Sequence, residues 1–272
     1  MTSALDGSGV LEQIVASKRR EVHGMKHRTC YTRIPGGPRG NVASSLRRST
    51  GGPLRLIAEN KRKSPSAGPL STVLTVAERV LRYAECGASM VSVLCDEPFF
   101  GGSWDDLALA RHALFEAGHD IPVLAKEFII DERQLREAAA NGADAVLLIA
   151  RILDRESLRA LHEQAAALRL ESLVEVVTEE ELAWALDAGA SLIGVNARDL
   201  DTLEMDAARA ARVLDAIPES AISVYLSGLK GPADVTAIAA TRAHAALVGE
   251  TLMRADDPRE ALTAMARAAS QT

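Results

Sequence analysis

The sequence predicts a (β/α)8 TIM barrel, an α/β fold in which eight strands alternate with helices. Three observations favour it. From Leu54 onward, short apolar runs of β type alternate with stretches rich in Ala, Leu, Glu and Arg. The runs are apolar on both faces, which is typical of parallel strands covered by helices. About eight such units can be counted, the number that closes this barrel. A doubly wound open sheet is the alternative.

The elements follow in a regular order along the chain. The predicted strands are LRLIAE, SMVSVLC, IPVLAK, DAVLLIA, SLVEVV, SLIGVN, AISVYLSG and HAALVG. Helical stretches between them include TVAERVLRYAECG, DERQLREAAANG, ESLRALHEQAAALRL and EEELAWALDAG. A glycine-alanine step precedes three strands, at Gly87-Ala88, Gly142-Ala143 and Gly189-Ala190. Glycine suits the end of a helix, because the residue there often has a positive φ.

The chain before the first strand is expected to belong to the same domain. Residues 1–53 would form a helical extension and loop, and residues 54–272 the barrel. VLEQIVASKRREV has helically spaced apolar residues and is predicted to be a surface or capping helix, and the N-terminus has no signal-peptide pattern. Arg33 to Pro53 is rich in Gly, Ser and Arg, which favours a loop or poorly ordered connection.

Composition restricts the class of partner. The 272 residues are 47% hydrophobic and 25% charged, an ordinary globular composition. A net charge of −6 and only 3% aromatic residues disfavour a nucleic-acid surface. No apolar run reaches the roughly 18 residues of a membrane span. Three cysteines without metal-type spacing indicate a reduced, cytoplasmic setting with the thiols as apolar filling, and no metal site.

Polar residues interrupt the apolar pattern where the predicted strands end. Active sites of (β/α)8 barrels lie at the C-terminal ends of the strands. The residues there are Glu59, Lys61, the turn Phe99-Phe100-Gly101-Gly102, Lys126, Leu148 or Ile149, Glu175, Asn196, Arg198, Ser227, Gly228 and Gly249. A salt-bridge network that fills the barrel top is the alternative, but burying so many charges gains little stability. The pattern therefore predicts an acid–base site.

Two turns have the form of phosphate sites. In YLSGLKGPAD and AALVGETLM, an apolar strand ends in a glycine-bearing turn and a helix follows. Backbone N–H groups at such a turn can bind an anion. These are the seventh and eighth strands, whose loops often hold phosphate in this fold. The sequence therefore predicts a small phosphorylated molecule as the partner, rather than nucleic acid or membrane.

Several segments, in order along nearly the whole chain, resemble the indole-3-glycerol phosphate synthase family of tryptophan biosynthesis. They include IAENKRKSPSAG, SVLCDEPFFGGSWDDL, PVLAKEFIID, DAVLLIARILD, LVEVVTEEEL, IGVNARDLDTLEMD and LVGETLMRADDPREAL. The resemblance implies a lyase that acts on 1-(2-carboxyphenylamino)-1-deoxyribulose 5-phosphate. It would close a five-membered ring, expel carbon dioxide and lose water, with no cofactor, as a monomer or weak homo-oligomer.

The resemblance also implies residue roles. Lys126 would be the general acid of ring closure, with Glu59 as its orienting partner. Lys61 would contact the anionic groups of the substrate and act in dehydration, and Glu175 would be a general base or stabilise the anilinium. The remaining expected contacts are Asn196 with the sugar chain, Ser64 and Arg198 with the anthranilate end, Phe100 and Phe128 as aromatic walls, and Ser227, Gly228, Gly249, Glu250 and Lys61 with the phosphate.

Some positions depart from the family pattern. Leu226 stands where the family usually has a glutamate that belongs to the site, and Lys63 stands where a small residue is usual. Asn60 replaces an apolar residue, while Ala67 and Ala197 are milder changes. Leu226 is expected to face the barrel mouth. Two other functions remain open: a paralogue for a substituted anthranilate adduct, and an inactive barrel that binds a phosphorylated ligand.

Overall fold

Eight parallel strands close into a barrel in the computed structural model, which describes residues 9–25, 41–65 and 67–270. In chain order, the strands of these residues are β1 (Arg55–Asn60), β2 (Lys63–Ser64), β3 (Gly68–Pro69), β4 (Met90–Leu94), β5 (Val123–Lys126), β6 (Ala145–Ile149), β7 (Glu171–Val176), β8 (Leu192–Asn196), β9 (Ile222–Leu226) and β10 (Ala245–Val248). Each barrel strand pairs with the next barrel strand along the chain, and β10 pairs with β1. The predicted barrel is confirmed.

Helices alternate with the barrel strands along the chain, and most of them cover the outside of the barrel. They are α1 (Val10–Gly24), α2 (Val42–Leu46), α3 (Val76–Glu85), α4 (Glu97–Phe100), α5 (Trp104–Glu116), α6 (Glu132–Ala140), α7 (Arg155–Ala167), α8 (Glu179–Asp187), α9 (Ala207–Ala216), α10 (Pro232–Ala239), α11 (Glu250–Arg254) and α12 (Arg259–Ala268), with a 3-10 turn at Ala150–Ile152. The glycines that follow α3, α6 and α8 all have positive φ, between 85° and 88°, as the sequence predicts.

The two faces of each strand belong to two separate apolar clusters. On β1, Leu56 and Ala58 pack against the helices, whereas Ile57 packs inside the barrel. The same alternation places Leu124 and Leu173 inside. Because side chains alternate with period two, the next inward positions along these three strands are those of Glu59, Lys126 and Glu175. The alternation of side chains that forms the core therefore also places these polar groups at the mouth of the barrel.

The predicted loop between Arg33 and Pro53 is wrong at five positions, whereas residues 47–53 contain neither helix nor strand, as predicted. Residues 33–40 lie outside the described part, but Val42–Leu46 is the short helix α2. Asn41 accepts a hydrogen bond from the N–H of Ser44 and caps it. Val42 and Leu46 are buried in the inner cluster of the barrel. Burial of these two apolar residues, rather than the composition of the segment, stabilises the helix.

The remaining expectations on the fold have mixed outcomes. Helix α1 is present where the sequence predicts it. Cys86 and Cys95 are free thiols, and Cys95 is buried, whereas Cys30 lies outside the described residues. In the described part of the chain, no helix has both the length and the apolar character needed to cross a membrane. The assignment of residues 1–53 and 54–272 to one domain stays a prediction.

Candidate active site

A cavity of about 490 Å³ opens at the C-terminal ends of the barrel strands. Of the turn predicted after β4, Phe100 lies on the cavity wall and Phe99, Gly101 and Gly102 do not, whereas all the residues to which the resemblance assigns a role, and Leu226, lie there. These are Glu59, Lys61, Ser64, Phe100, Lys126, Phe128, Glu175, Asn196, Arg198, Leu226, Ser227, Gly228, Gly249 and Glu250. Of the two residues proposed at the end of β6, Ile149 lines the cavity and Leu148 packs outward. Placement of these cavity residues is therefore as expected, whereas the role of each residue stays a prediction.

Lys126 and Glu175 form an ion pair across the barrel interior, in which the side chain of Glu175 is 2% exposed and that of Lys126 is 17% exposed. Lys126 Nζ lies 3.3 Å from Glu175 Oε2. The other carboxylate oxygen, Oε1, accepts a hydrogen bond of 2.9 Å from the amide of Asn196. The amide oxygen of Asn196 accepts in turn from the backbone N–H of Arg198 at 3.0 Å. This chain of contacts fixes the orientation of Glu175 and, through it, the position of the lysine ammonium.

Glu59 and Lys61 form a second ion pair at the end of β1, with Lys61 Nζ 2.7 Å from Glu59 Oε1. The side chain of Glu59 is 5% exposed and that of Lys61 is 15% exposed, so the lysine can still reach a ligand. Gly249 on the neighbouring strand end makes room for this carboxylate. A Cβ at Gly249 would lie 2.5 Å from Glu59 Oε1. The glycine is therefore required by the position of Glu59, in addition to the predicted role in phosphate binding.

The two pairs hold the central groups in their charged forms. Burial lowers the pKa of Lys126, but the carboxylates of Glu175 and Glu59 outweigh it and raise the pKa above its ordinary value. Burial raises the pKa of Glu59, but Lys61 and Lys126 outweigh it and lower the pKa. The direct partner of Lys126 is thus Glu175, and Glu59 acts on it only over a longer distance. The resemblance had implied Glu59 as the orienting partner.

The turn after β9 has an unusual backbone. Ser227 and Gly228 both have positive φ, 73° and 87°. A non-glycine residue in this region is uncommon and costs on the order of 1–3 kcal/mol, and such strain concentrates at functional sites. A Cβ at Gly228 would also clash with the end of the Met205 side chain. Lys230 adds positive charge to the cavity wall, and Arg254 on the same wall is paired with Glu250 at 2.8 Å. These features suit an anion.

The rest of the wall is apolar and aromatic. The rings of Phe100 and Phe128 lie 5.8 Å apart between centroids, with their planes at 35°. Leu226 is buried and faces inward, as alternation predicts, and Leu147 and Leu247 extend the same surface. A ligand in this cavity can therefore place an aromatic ring against apolar surface and a charged group against the cations.

The other departures from the family pattern lie off the cavity wall. Lys63 donates a hydrogen bond of 2.6 Å to the carbonyl of Pro98 in α4, the short helix after β4. Asn60 is buried but is absent from the cavity lining, because alternation along β1 turns it away from the inward face that Glu59 occupies. Ala197 packs into the outer cluster. Ala67 lies in the turn between β2 and β3, which pair in antiparallel fashion, and its N–H donates to Ser64 Oγ. Leu226 alone among these changes alters the surface that a ligand contacts.

One buried lysine was missed by the sequence reasoning. Lys18 lies on the inward face of α1 with Leu11, Ile14 and Val22, and its side chain is fully buried. The spacing of these four positions, three or four residues apart, could have indicated it, because a lysine stands where a helical stripe requires an apolar residue. Leu11 and Ile14 line the cavity directly.

Comparison with known proteins agrees with the geometry. The family model for indole-3-glycerol phosphate synthase matches residues 11–265. The indole-3-glycerol phosphate synthase of Kineococcus radiotolerans is 46% identical over 209 residues, which cover 77% of this chain and 74% of that protein. The enzyme of the same name from Mycolicibacterium smegmatis is 46% identical over 222 residues, 82% of this chain and 79% of that one.

Solved structures show a similar fold. Thiamine phosphate pyrophosphorylase from Pyrococcus furiosus superposes with a TM-score of 0.60 at 16% sequence identity, covering 81% of this chain and 98% of that chain. At this identity the likeness concerns the barrel and not the reaction.

Proposed function

The chain belongs to the indole-3-glycerol phosphate synthase family, and we propose that the two ion pairs of its cavity carry the acid–base steps of that family's reaction. The activity is that of a carboxy-lyase in tryptophan biosynthesis. Its substrate is 1-(2-carboxyphenylamino)-1-deoxyribulose 5-phosphate, and its products are indole-3-glycerol phosphate, carbon dioxide and water. The observation that carries the assignment of roles is the Lys126–Glu175 pair, which lines the same cavity as the Glu59–Lys61 pair.

Lys126 is the general acid of ring closure. When the ring forms, negative charge develops on the carbonyl oxygen of the sugar chain, and a protonated lysine stabilises that charge and donates the proton. The raised pKa of Lys126 keeps the proton available. Release of carbon dioxide then restores the aromatic ring. Glu175 holds the ammonium in place and acts either as a general base or as the stabiliser of the anilinium nitrogen.

Dehydration requires an acid for the leaving hydroxyl and a base for a ring proton. Lys61 and Glu59 supply both at one place, since their charged groups are 2.7 Å apart. The lowered pKa of Glu59 keeps it ionised and therefore able to accept a proton. No step of this sequence needs a metal or an organic cofactor.

The two ends of the substrate fit opposite parts of the wall. The phosphate is proposed at Ser227, Gly228, Gly249 and Glu250, with Lys61 nearby; the anthranilate end at Ser64, Arg198, Phe100 and Phe128; and the sugar chain at Asn196. The strained turn after β9 supports the first assignment, and the paired rings support the second. With Arg198, the two lysines outnumber Glu59 and Glu175 by one charge, which favours a polyanionic substrate.

The experiment is direct. The purified chain is incubated with the carboxyphenylamino-deoxyribulose phosphate, and indole absorbance and released carbon dioxide are followed together. Equal amounts of both products support the proposal. Turnover of the substrate without indole, or no turnover at all, contradicts it.

The apolar surface at Leu226 favours a second candidate, a paralogue that prefers a ring-substituted anthranilate adduct. A higher kcat/KM with ring-methylated substrate than with the plain one would establish it. An inactive phosphate-binding barrel is disfavoured, because simple binding does not require two acid–base pairs. We also propose that the protein is a monomer or weak homo-oligomer and that it acts in the cytoplasm. The free thiols of Cys86 and Cys95 support a reducing compartment.

A further inference from the structure

Lys18 of α1 is buried against three carboxylates beside the cavity. Its Nζ lies 3.0 Å from Asp96 Oδ1, 3.1 Å from Glu127 Oε1 and 2.7 Å from Glu21 Oε2. The side chains of Lys18, Asp96 and Glu127 are each 0% exposed. A buried ion pair is rarely more stabilising than apolar residues of the same size. Stability alone is therefore a poor reason for this cluster.

The two buried carboxylates also hold the backbone of the aromatic wall. Asp96 Oδ2 accepts hydrogen bonds from the N–H groups of Phe99, at 2.8 Å, and Phe100, at 3.1 Å. Glu127 Oε1 accepts from the N–H of Phe128 at 2.7 Å. Asp96 and Phe100 belong to the loop after β4, whereas Glu127 and Phe128 follow β5. Lys18 thus connects two loops, each of which carries one ring of the wall.

The geometry points to Lys18 as a positioning residue for the aromatic end of the substrate. This inference rests on the proposed function. The ammonium binds Asp96 and Glu127 at once and so keeps two like charges close together in a buried place. Without it the two carboxylates repel each other or must take up protons, and the loops that they hold separate. The distance between the rings of Phe100 and Phe128 and the angle between their planes then change.

The consequence is specific to one end of the ligand. The phosphate turns follow β9 and β10, which are not neighbours of β4 or β5: β1 lies between β10 and β4, and three strands separate β9 from β5 in either direction. No contact of Lys18 reaches those turns among the described residues. Loss of the Lys18 charge should therefore weaken binding of the aryl group and leave binding of a simple phosphate unchanged.

The test compares two ligands in two variants. Substrate reduced with borohydride keeps the aryl and phosphate groups but has no carbonyl and cannot cyclise. Its Kd is measured by calorimetry, beside the inhibition constant of inorganic phosphate. For Lys18→Met we expect a Kd at least ~10-fold higher, with the phosphate constant within about twofold of wild type; tenfold corresponds to about 1.4 kcal/mol. Lys18→Arg, which keeps the charge, should recover most of the affinity.

A buried ion pair away from the cavity provides the matched control. Arg111 and Asp144 form such a pair at the N-terminal side of β5 and β6, where Asp144 also accepts from the N–H of Val123. Arg111→Met should lower Tm to a similar extent and leave both constants at their wild-type values. In steady-state kinetics, Lys18→Met should raise KM by a larger factor than it lowers kcat, and Arg111→Met should change neither.

Two results would overturn the inference. One is an unchanged Kd for the reduced substrate in Lys18→Met; the other is an equal loss of affinity for both ligands, which indicates general loosening. If Lys18→Met does not fold, Lys18→Gln replaces it with the same expectations, because it also leaves the two buried carboxylates without a cation. Failure of the wild-type chain to form indole would contradict the proposed function, whereas normal turnover with unchanged binding in the variants would contradict the role of Lys18 alone.

Discussion

Lys126 Nζ lies 3.3 Å from Glu175 Oε2, so the pair joins β5 to β7 across the intervening strand β6. Neither residue could reach the other along the sheet surface; they meet because both point into the barrel. The contact keeps the ammonium charged and directed into the cavity. It is the structural basis of the general-acid role that we propose for Lys126.

Replacing Lys126 by alanine should lower kcat by at least ~10²-fold, because deletion of a general acid typically costs 10²–10⁴-fold. This decrease in kcat is measured from the rate of indole formation at a saturating substrate concentration. Asn141→Ala, at the end of α6 and away from the cavity, is the control and should keep wild-type turnover. Near wild-type kcat for Lys126→Ala, with an unchanged circular dichroism spectrum, would show that another group donates the proton.

The ionised form of Glu59 should stabilise the fold in a pH-dependent way. Its pKa in the folded state lies below the ordinary value of 4.5, since Lys61 and Lys126 outweigh the effect of burial. The stabilisation is therefore fully present above about pH 4.5 and is lost as the pH falls through the folded pKa. The difference in free energy of unfolding between wild type and Glu59→Gln should shrink below about pH 4.5.

Urea unfolding at a series of pH values measures this difference. Glu260→Gln, on the exposed face of α12, controls for loss of a carboxylate as such. If the difference between wild type and Glu59→Gln stays constant from about pH 7 to about pH 3, ionised Glu59 has no preferential stabilisation in the fold.

Gly228→Ala should raise KM. A Cβ there conflicts with the positive φ of 87° and with the Met205 side chain, and both displace the backbone proposed to bind phosphate. Gly118 after α5 has a φ of 73°, and no atom lies within 4 Å of the place that a Cβ would take there. Gly118→Ala therefore introduces similar backbone strain, about 1–2 kcal/mol, at the other end of the barrel. Steady-state kinetics should show the higher KM in the first variant alone. If KM rises equally in both variants, or in neither, the phosphate does not bind at the turn after β9.

Leu226→Glu should shift the substrate preference toward the plain substrate. The leucine presents an apolar surface to the cavity, which favours an apolar ring substituent, whereas a carboxylate there favours polar contacts. We expect the ratio of kcat/KM for ring-methylated substrate to that for plain substrate to fall. The variant should also be less stable, because Leu226 is 1% exposed. An unchanged ratio would mean that Leu226 only fills space between the strands.

The sequence by itself determined the barrel and the identity of the residues at its mouth. Alternating apolar runs define strands with an inward and an outward face, and the C-terminal ends of parallel strands meet at one end of a closed barrel. Glu59, Lys126, Glu175 and Asn196 could therefore be placed together without knowing any distance between them. The short helix α2 could not be predicted from the sequence. Five residues in a polar segment form a helix only when Val42 and Leu46 can pack against a buried surface.

Only the tertiary structure decided which of these residues touch. Strand order and side-chain alternation are read along one chain, but a contact between non-neighbouring strands depends on the barrel's curvature and on side-chain length. For this reason Lys126 pairs directly with Glu175, whereas the resemblance had implied Glu59 as its orienting partner. Lys18 is the clearest case: its contacts lie 78 and 109 residues away along the chain, at Asp96 and Glu127, and they exist only because α1 packs over the barrel mouth.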